Sequence, residues 1–246
     1  MLTDETKTRW RELFKKSDWY IAIVPEIEAM RETLKGKSES DHDTAVKELY
    51  DFFELHLGRG DIALEKNPPN TDAERKPIDA IIIHHTSNPP GMSKDRLSAI
   101  ELMRLYAPYF YRPKDAADAS MKGRAIYSGH VRNGRQVFWP YHWFVRADGA
   151  VERLLEDAEI GWQAGDWDMN RRSVAICFDN DFENSAPSPI ELRAAADIIT
   201  KYYSDVSRER ILGHGEINNK TTCPSSLFLS TGAIRGWKED LIFAST

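Results

Sequence analysis

The hydrophobic pattern changes period about a quarter of the way along the chain. Over residues 1–64 apolar positions recur at helical spacing. Trp10, Leu13 and Phe14 form a short stripe, and Ile27, Met30 and Leu34 follow Pro25, which suits a first helical position, before Gly36 stops the run. Val46, Leu49, Tyr50, Phe53 and Leu57 fall at i, i+3, i+4, i+7 and i+11, which predicts an amphipathic helix ended by Gly58. Residues 65–77 are polar and proline-bearing and read as a linker. From residue 78 short β-rich runs alternate with helical ones. Ile81-Ile82-Ile83 predicts a strand buried on both faces, and it runs straight into His84-His85-Thr86.

Ser93 can cap a helix running to about Ala107, with Pro108 beyond its end. Residues 108–137 are aromatic-rich and irregular, and a stretch of that length is expected to form one wall of a cleft. Asp148-Gly149 joins Tyr141–Arg146 to Val151–Leu154 and predicts a hairpin, with Tyr141 and Trp143 on one face and His142 and Phe144 on the other. Ser173–Phe178 is apolar on both faces, as a central strand is. Ser188-Pro189-Ile190-Glu191 is a capping box opening a helix that carries Leu192, Ala195, Ile198 and Ile199, and a closing helix carries Trp237 and Leu241. The expected fold is α/β, a mixed central β-sheet flanked by helices over 78–246, preceded by a helical appendage over 1–64.

Charge and composition narrow the partners. The net charge of −6 lacks the basic surface that nucleic-acid binding needs. No apolar run approaches the ~20 residues of a membrane span. The first residues are polar and acidic, without the basic start and apolar core of a secretory signal. The expected location is therefore the cytoplasm, or the cell wall after delivery by a non-classical or phage-type route. Only two cysteines are present, Cys177 and Cys223, too few for a disulfide framework, and a single disulfide between them is the lesser reading.

The candidate chemistry lies in two distant stretches. One histidine of the His84-His85 pair, with His214 after Gly213 and Cys223 before Pro224, makes a three-ligand set for zinc with a position left open. Adjacent strand residues point to opposite faces, so only one of the pair can face a metal. Such a donor set also accepts other soft divalent ions. Cys177 and His142 read as core residues and His130 as a loop residue.

Taken together, these blocks resemble the zinc-dependent N-acetylmuramoyl-L-alanine amidases of the second amidase family, which include phage lysozyme-amidases, cell-wall recycling amidases and peptidoglycan-recognition proteins. The resemblance spans roughly residues 78–240. It implies one Zn²⁺ per chain, held by His84, His214 and Cys223. It implies a catalytic role for Tyr141, orienting water or the tetrahedral intermediate, and for Thr221, with Lys220 as its possible substitute. Trp162-Gln163-Ala164-Gly165 matches a segment that carries histidine in place of Gln163. Trp162, Asn170 and His85 are the candidate substrate contacts. The catalytic glutamate of the recycling enzymes aligns with Cys177 and is missing, so a tyrosine-type arrangement is expected. The implied activity is hydrolysis of the amide between N-acetylmuramic acid and L-alanine in peptidoglycan or muropeptides. The rival is a non-catalytic peptidoglycan-recognition module, and the N-terminal helices have no assigned protein partner.

Overall fold

A computed structural model describes residues 2–113 and 120–245. Three helices come first: α1 (Asp4–Phe14), α2 (Tyr20–Leu34) and α3 (Glu39–Arg59). Strand β1 (Ala80–His85) follows, then α4 (Lys94–Glu101), a π turn at Leu102–Tyr106 and α5 (Ala107–Tyr111). Two short ribbons, β2 (Val131–Arg132) and β3 (Arg135–Gln136), precede β4 (Trp143–Val145) and β5 (Val151–Arg153). The chain ends with α6 (Trp167–Arg172), β6 (Ser173–Phe178), α7 (Pro189–Tyr202), β7 (Ile211–Gly213), α8 (His214–Ile217) and α9 (Trp237–Ala244). Among the described residues no helix is long and apolar enough to cross a membrane.

Contacts divide the chain differently from the segments 1–64, 65–77 and 78–246. One compact unit takes residues up to Asn70 together with Ser93–Phe138, and the other takes Thr71–Met92 with Trp139–Thr246. The first is built on an aromatic core. Trp10, Phe14, Trp19, Phe52 and Phe53 meet edge-on or tilted at 5.4–6.1 Å, the geometries aromatic rings prefer. Helix α4 joins this unit because Arg96 pairs with both Asp51 and Glu54 of α3. The irregular stretch after α5 joins it through Tyr20, whose hydroxyl accepts from Gly123 N–H at 2.7 Å and donates to Arg124 O at 3.0 Å. Residues 114–119 of the expected cleft wall lie outside the described residues.

Three helix boundaries differ from the expected ones. Helix α2 starts five residues before Pro25, because Tyr20, Ile23 and Val24 bury their side chains and pull the earlier residues into the helix. Gly58 lies inside α3, and the stop is Gly60, whose φ of +74° is the left-handed conformation glycine favours and whose N–H closes the helix on His56 O and Leu57 O. Pro108 lies inside α5 rather than beyond a helix end. Its ring is accommodated by the wider π turn ahead of it, where Ala107 N–H reaches back to Leu102 O.

The second unit is organised by β1, which is buried at all six positions. A strand apolar on both faces must sit between other strands. It pairs in parallel with β6 on one side and β7 on the other. β4 adds in parallel to β6, and β5 runs antiparallel to β4, giving the mixed order β5-β4-β6-β1-β7. The expected hairpin is present, with Gly149 at φ +83° in its turn. One sheet face, with Ile81, Ile83, Val174, Ile176, Phe178 and Trp143, packs under Ala195, Ile198 and Ile199 of α7 and Trp237 and Leu241 of α9. Each buried Ile, Val or Leu side chain here contributes about 1.5–3 kcal/mol by leaving water. The capping box at Ser188 and Glu191 forms as expected.

His142 ties three segments of this unit together. Its backbone N–H donates to Ala175 O at 3.0 Å and its carbonyl accepts from Leu154 N–H at 2.9 Å. Its ring Nδ1 accepts from Ala175 N–H at 3.1 Å, and Nε2 donates to Glu159 O at 3.0 Å. Burial, reinforced by the Arg75 charge, pushes the imidazole pKa from its ordinary 6.5 down to about 3. The unfolded chain therefore takes up a proton that the folded one refuses. This contribution is complete above pH 6.5 and is lost as the pH falls toward 3. Urea-midpoint stability measured across that window should show a difference between wild type and His142→Gln with a slope approaching about 1.4 kcal/mol per pH unit. Parallel pH profiles for the two proteins would contradict the buried neutral state.

Candidate metal centre

The centre is assembled at one rim of the sheet. Strands β1 and β7 are parallel, so both finish at the same edge, and Ile83 is the register partner of Gly213. His84 and His214 each follow that pair by one residue, and their rings lie 4.8 Å apart. The third donor returns from α8 by a loop. Gly215 N–H donates to Cys223 O at 2.7 Å, which pins the loop beside His214. Both glycines flanking His214 are sterically required. A Cβ at Gly213 would lie 2.7 Å from Phe228 Cδ1 and 2.9 Å from Pro224 Cδ, and one at Gly215 would lie 2.8 Å from Thr221 O. Cys223 Sγ stands 3.6 Å from His84 Nδ1. The ligand atoms of His84, His214 and Cys223 all lie within 4.8 Å of one another.

The electrostatics favour ligation. Burial drives the pKa of His84 well below 6.5, the neighbouring His214 adds to that, and the hydrogen bond to Gln163 opposes it. The ring is neutral at pH 7, as a metal ligand must be. Gln163 Oε1 lies 2.6 Å from His84 Nε2. That oxygen can only accept, so Nε2 carries the proton and Nδ1, facing Cys223, carries the lone pair. Two imidazoles and a thiol converging in this way suit zinc, with the outer nitrogen of a ligand held by an oxygen acceptor as is usual. Cys177 and Cys223 are both free, so no disulfide joins them.

The remaining candidates fall in different surroundings. Tyr141 is buried, with its ring 5.0 Å from that of His84. It does not share the contacts of Trp143, whose Nε1 donates to Tyr203 beside α7. The regular strand begins only at Trp143, so the expected alternation does not reach Tyr141. Thr221 Oγ1 accepts from Cys223 N–H at 3.1 Å. Lys220 is exposed, and its N–H is turned to Asn218 Oδ1. His85 is buried on the other side of the strand, where Nδ1 accepts from Phe182 N–H at 2.9 Å and Nε2 lies 3.0 Å from Ser87 Oγ. Trp162 is half-buried, its ring 6.0 Å from that of Trp167. Asn170 is buried and its Oδ1 accepts from the N–H groups of Gln163 and Ala164. Cys177 is the register partner of His84 and is fully buried.

Sequence reasoning passed over Gln163 and the two glycines as working parts of the centre. The Gly-His-Gly pattern around His214 was the available signal for a close backbone approach. Gln163 offered only its place in the Trp162–Gly165 segment.

Residues 74–226 match the model of a family described as N-acetylmuramoyl-L-alanine amidase. No curated protein matches the sequence. Several solved structures are similar. The chain is 18% identical to the endolysin LysCS, an N-acetylmuramoyl-L-alanine amidase from Clostridium intestinale, over 66% of this chain and 86% of that one, with a TM-score of 0.41. It is 16% identical to a selenomethionine derivative of AmpD over 75% and 94%, with a TM-score of 0.44. It is 18% identical to the Drosophila peptidoglycan recognition protein SD over 67% and 83%, with a TM-score of 0.41.

Replacing Gly215 by alanine forces the Thr221–Cys223 backbone away from His214. Zinc affinity, measured by competition with a calibrated chelator, should fall roughly ten- to hundredfold, as when the supports of a metal ligand are disturbed. An unchanged affinity would mean that the Cys223 loop is not fixed through this contact.

Proposed function

For a chain that belongs to the N-acetylmuramoyl-L-alanine amidase family, we propose zinc-dependent hydrolysis of the amide joining N-acetylmuramic acid to L-alanine, in peptidoglycan or in muropeptides. The observation that carries this reading is the convergence of His84, His214 and Cys223 within 4.8 Å. Zinc bound there would supply Lewis acidity at the scissile carbonyl. The three ligands hold it, with His84 neutral and its lone pair turned inward.

Tyr141, buried with its ring against that of His84, orients the attacking water or the oxygen that gains charge. Thr221 is the second donor. Its oxygen already accepts from Cys223 N–H, and the hydroxyl proton can be given to the substrate. Lys220 is the substitute cation on the adjoining exposed turn. In the reaction water adds to the carbonyl carbon and the carbon–nitrogen bond breaks. The lactyl group leaves as a carboxylate, and the alanine nitrogen takes a proton to become a free amine. Trp162 remains a candidate substrate contact, whereas His85, buried on the other side of the strand against Phe182 N–H and Ser87 Oγ, is set aside as one. Asn170 serves at least as a loop anchor through its bonds to residues 163 and 164.

The family also contains peptidoglycan-recognition proteins, so the test must separate cutting from binding. Purified protein is offered intact peptidoglycan and soluble muropeptide, with and without chelator, and new L-alanine amino termini and bound zinc are counted. About one zinc per chain with chelator-sensitive release is expected. Tyr141→Phe should retain its zinc and lose roughly 10²–10³-fold in kcat. Zinc without release from either substrate would replace hydrolysis by recognition alone. Absence of bound zinc would remove the metal centre.

A further inference from the structure

Gln163 and Ser173 form a hydrogen-bonded path that ends on His84, and the path has a direction. Its far end is the backbone carbonyl of Met169 in α6, which can only accept. Ser173 Oγ donates to Met169 O at 2.7 Å. That leaves the same hydroxyl oxygen as an acceptor, and it takes Gln163 Nε2–H at 2.8 Å. With its nitrogen turned to Ser173, the amide presents Oε1 to His84 Nε2 at 2.6 Å. Ser173 and Gln163 are both buried, so water does not offer alternative partners. The backbone around Gln163 is clamped by the same helix, because Asn170 Oδ1 accepts from the N–H groups of Gln163 and Ala164.

A glutamine by itself is indifferent. After a half-turn its amide offers a donor where it had offered an acceptor. Facing His84 with Nε2, it would take the lone pair of His84 Nε2 and move the ring proton to Nδ1. That proton would then occupy the direction of Cys223 Sγ, 3.6 Å away, where a ligand must present a lone pair. Ser173 removes the ambiguity, because its own proton is committed to a carbonyl.

We propose, on the basis of the metal centre described above, that Gln163 and Ser173 are positioning residues that set the tautomer of His84, with the Met169 carbonyl fixing the polarity of the path. The ring is thereby ready to bind metal through Nδ1 before the metal arrives. Neither residue touches substrate in this scheme.

The test uses the full chain, metal-free and zinc-loaded. The ring ¹⁵N resonances of His84 are assigned by their loss in His84→Ala. In metal-free wild type the proton should lie on Nε2. In Ser173→Ala a substantial fraction of the proton should move to Nδ1, and zinc affinity should fall roughly ten- to hundredfold. Ser173→Thr, which keeps the hydroxyl, should restore both. Gln163→Glu keeps an acceptor toward His84 and should hold the wild-type tautomer, whereas Gln163→Leu should lose it. These last two variants keep the proposal open to refutation if Ser173→Ala does not fold. A wild-type proton on Nδ1, or wild-type tautomer and zinc affinity in both Ser173→Ala and Gln163→Leu, would overturn it. Failure of zinc to bind wild type would remove the metal centre while leaving the tautomer comparison readable, and lack of amidase activity would affect neither.

Discussion

All six residues of β1 are buried, so the strand can satisfy its backbone only through neighbours on both edges. β6 and β7 supply those neighbours, and both run parallel to it. The parallel sense is what matters for the centre. It sends the ends of β1 and β7 to the same rim, so two histidines 130 positions apart in the chain finish one residue beyond the same register pair. A slip of one residue in either strand would turn His84 or His214 to the opposite face. The apolar packing under α7 and α9 holds that register, because Ile81, Ile83, Val174 and Ile176 must all stay on the core side. Sheet stability and ligand geometry are thus one constraint.

Burying an imidazole beside a second imidazole is unfavourable for the charged form, and here it is used. His84 stays neutral through desolvation and through the proximity of His214. Its polar edge away from Cys223 is satisfied by a carbonyl oxygen rather than by water. The same environment explains why the support around the ligands is built from short, directed hydrogen bonds. In a dry site a misdirected Gln163 amide would leave its buried oxygen facing the accepting oxygen of Ser173, at a penalty of about 1–3 kcal/mol. On the other side of the centre the support is backbone: Gly215 N–H on Cys223 O, with glycines where the loop passes closest.

Periodicity made several elements legible. The 3.6-residue pattern of Val46 to Leu57 became α3, the β-branched run became β1, the Asp148-Gly149 turn became a hairpin, and Ser188 with Glu191 became a capping box. Boundaries were less legible. Pro25 and Gly58 are poor helix formers by local preference, yet each lies inside a helix because neighbouring side chains gain more by burial than the backbone loses, and Pro108 sits in the first turn of α5 behind a π turn that makes room for its ring. The grouping of Ser93–Phe138 with the N-terminal helices was not legible at all. It depends on partners such as Arg96 with Asp51 and Tyr20 with Gly123, far apart in the chain and ordinary in composition.

By itself the sequence determined the chemistry available at the centre: two histidines and a cysteine, each at the end of a strand or in a turn, with a tyrosine ahead of a hairpin. Residue type and local pattern suffice for that, since they decide which donors exist and which segments are extended. Only the tertiary structure decided how those donors are used. It turned Tyr141 away from the face of Trp143 and toward His84, and it brought Gln163, 79 positions from His84, to the outer nitrogen of that ring. Alternation ends where the regular strand ends, and a hydrogen bond between distant side chains leaves no period in the sequence. Which nitrogen of His84 holds the proton is therefore a property of the folded packing, set by the Met169 carbonyl of α6.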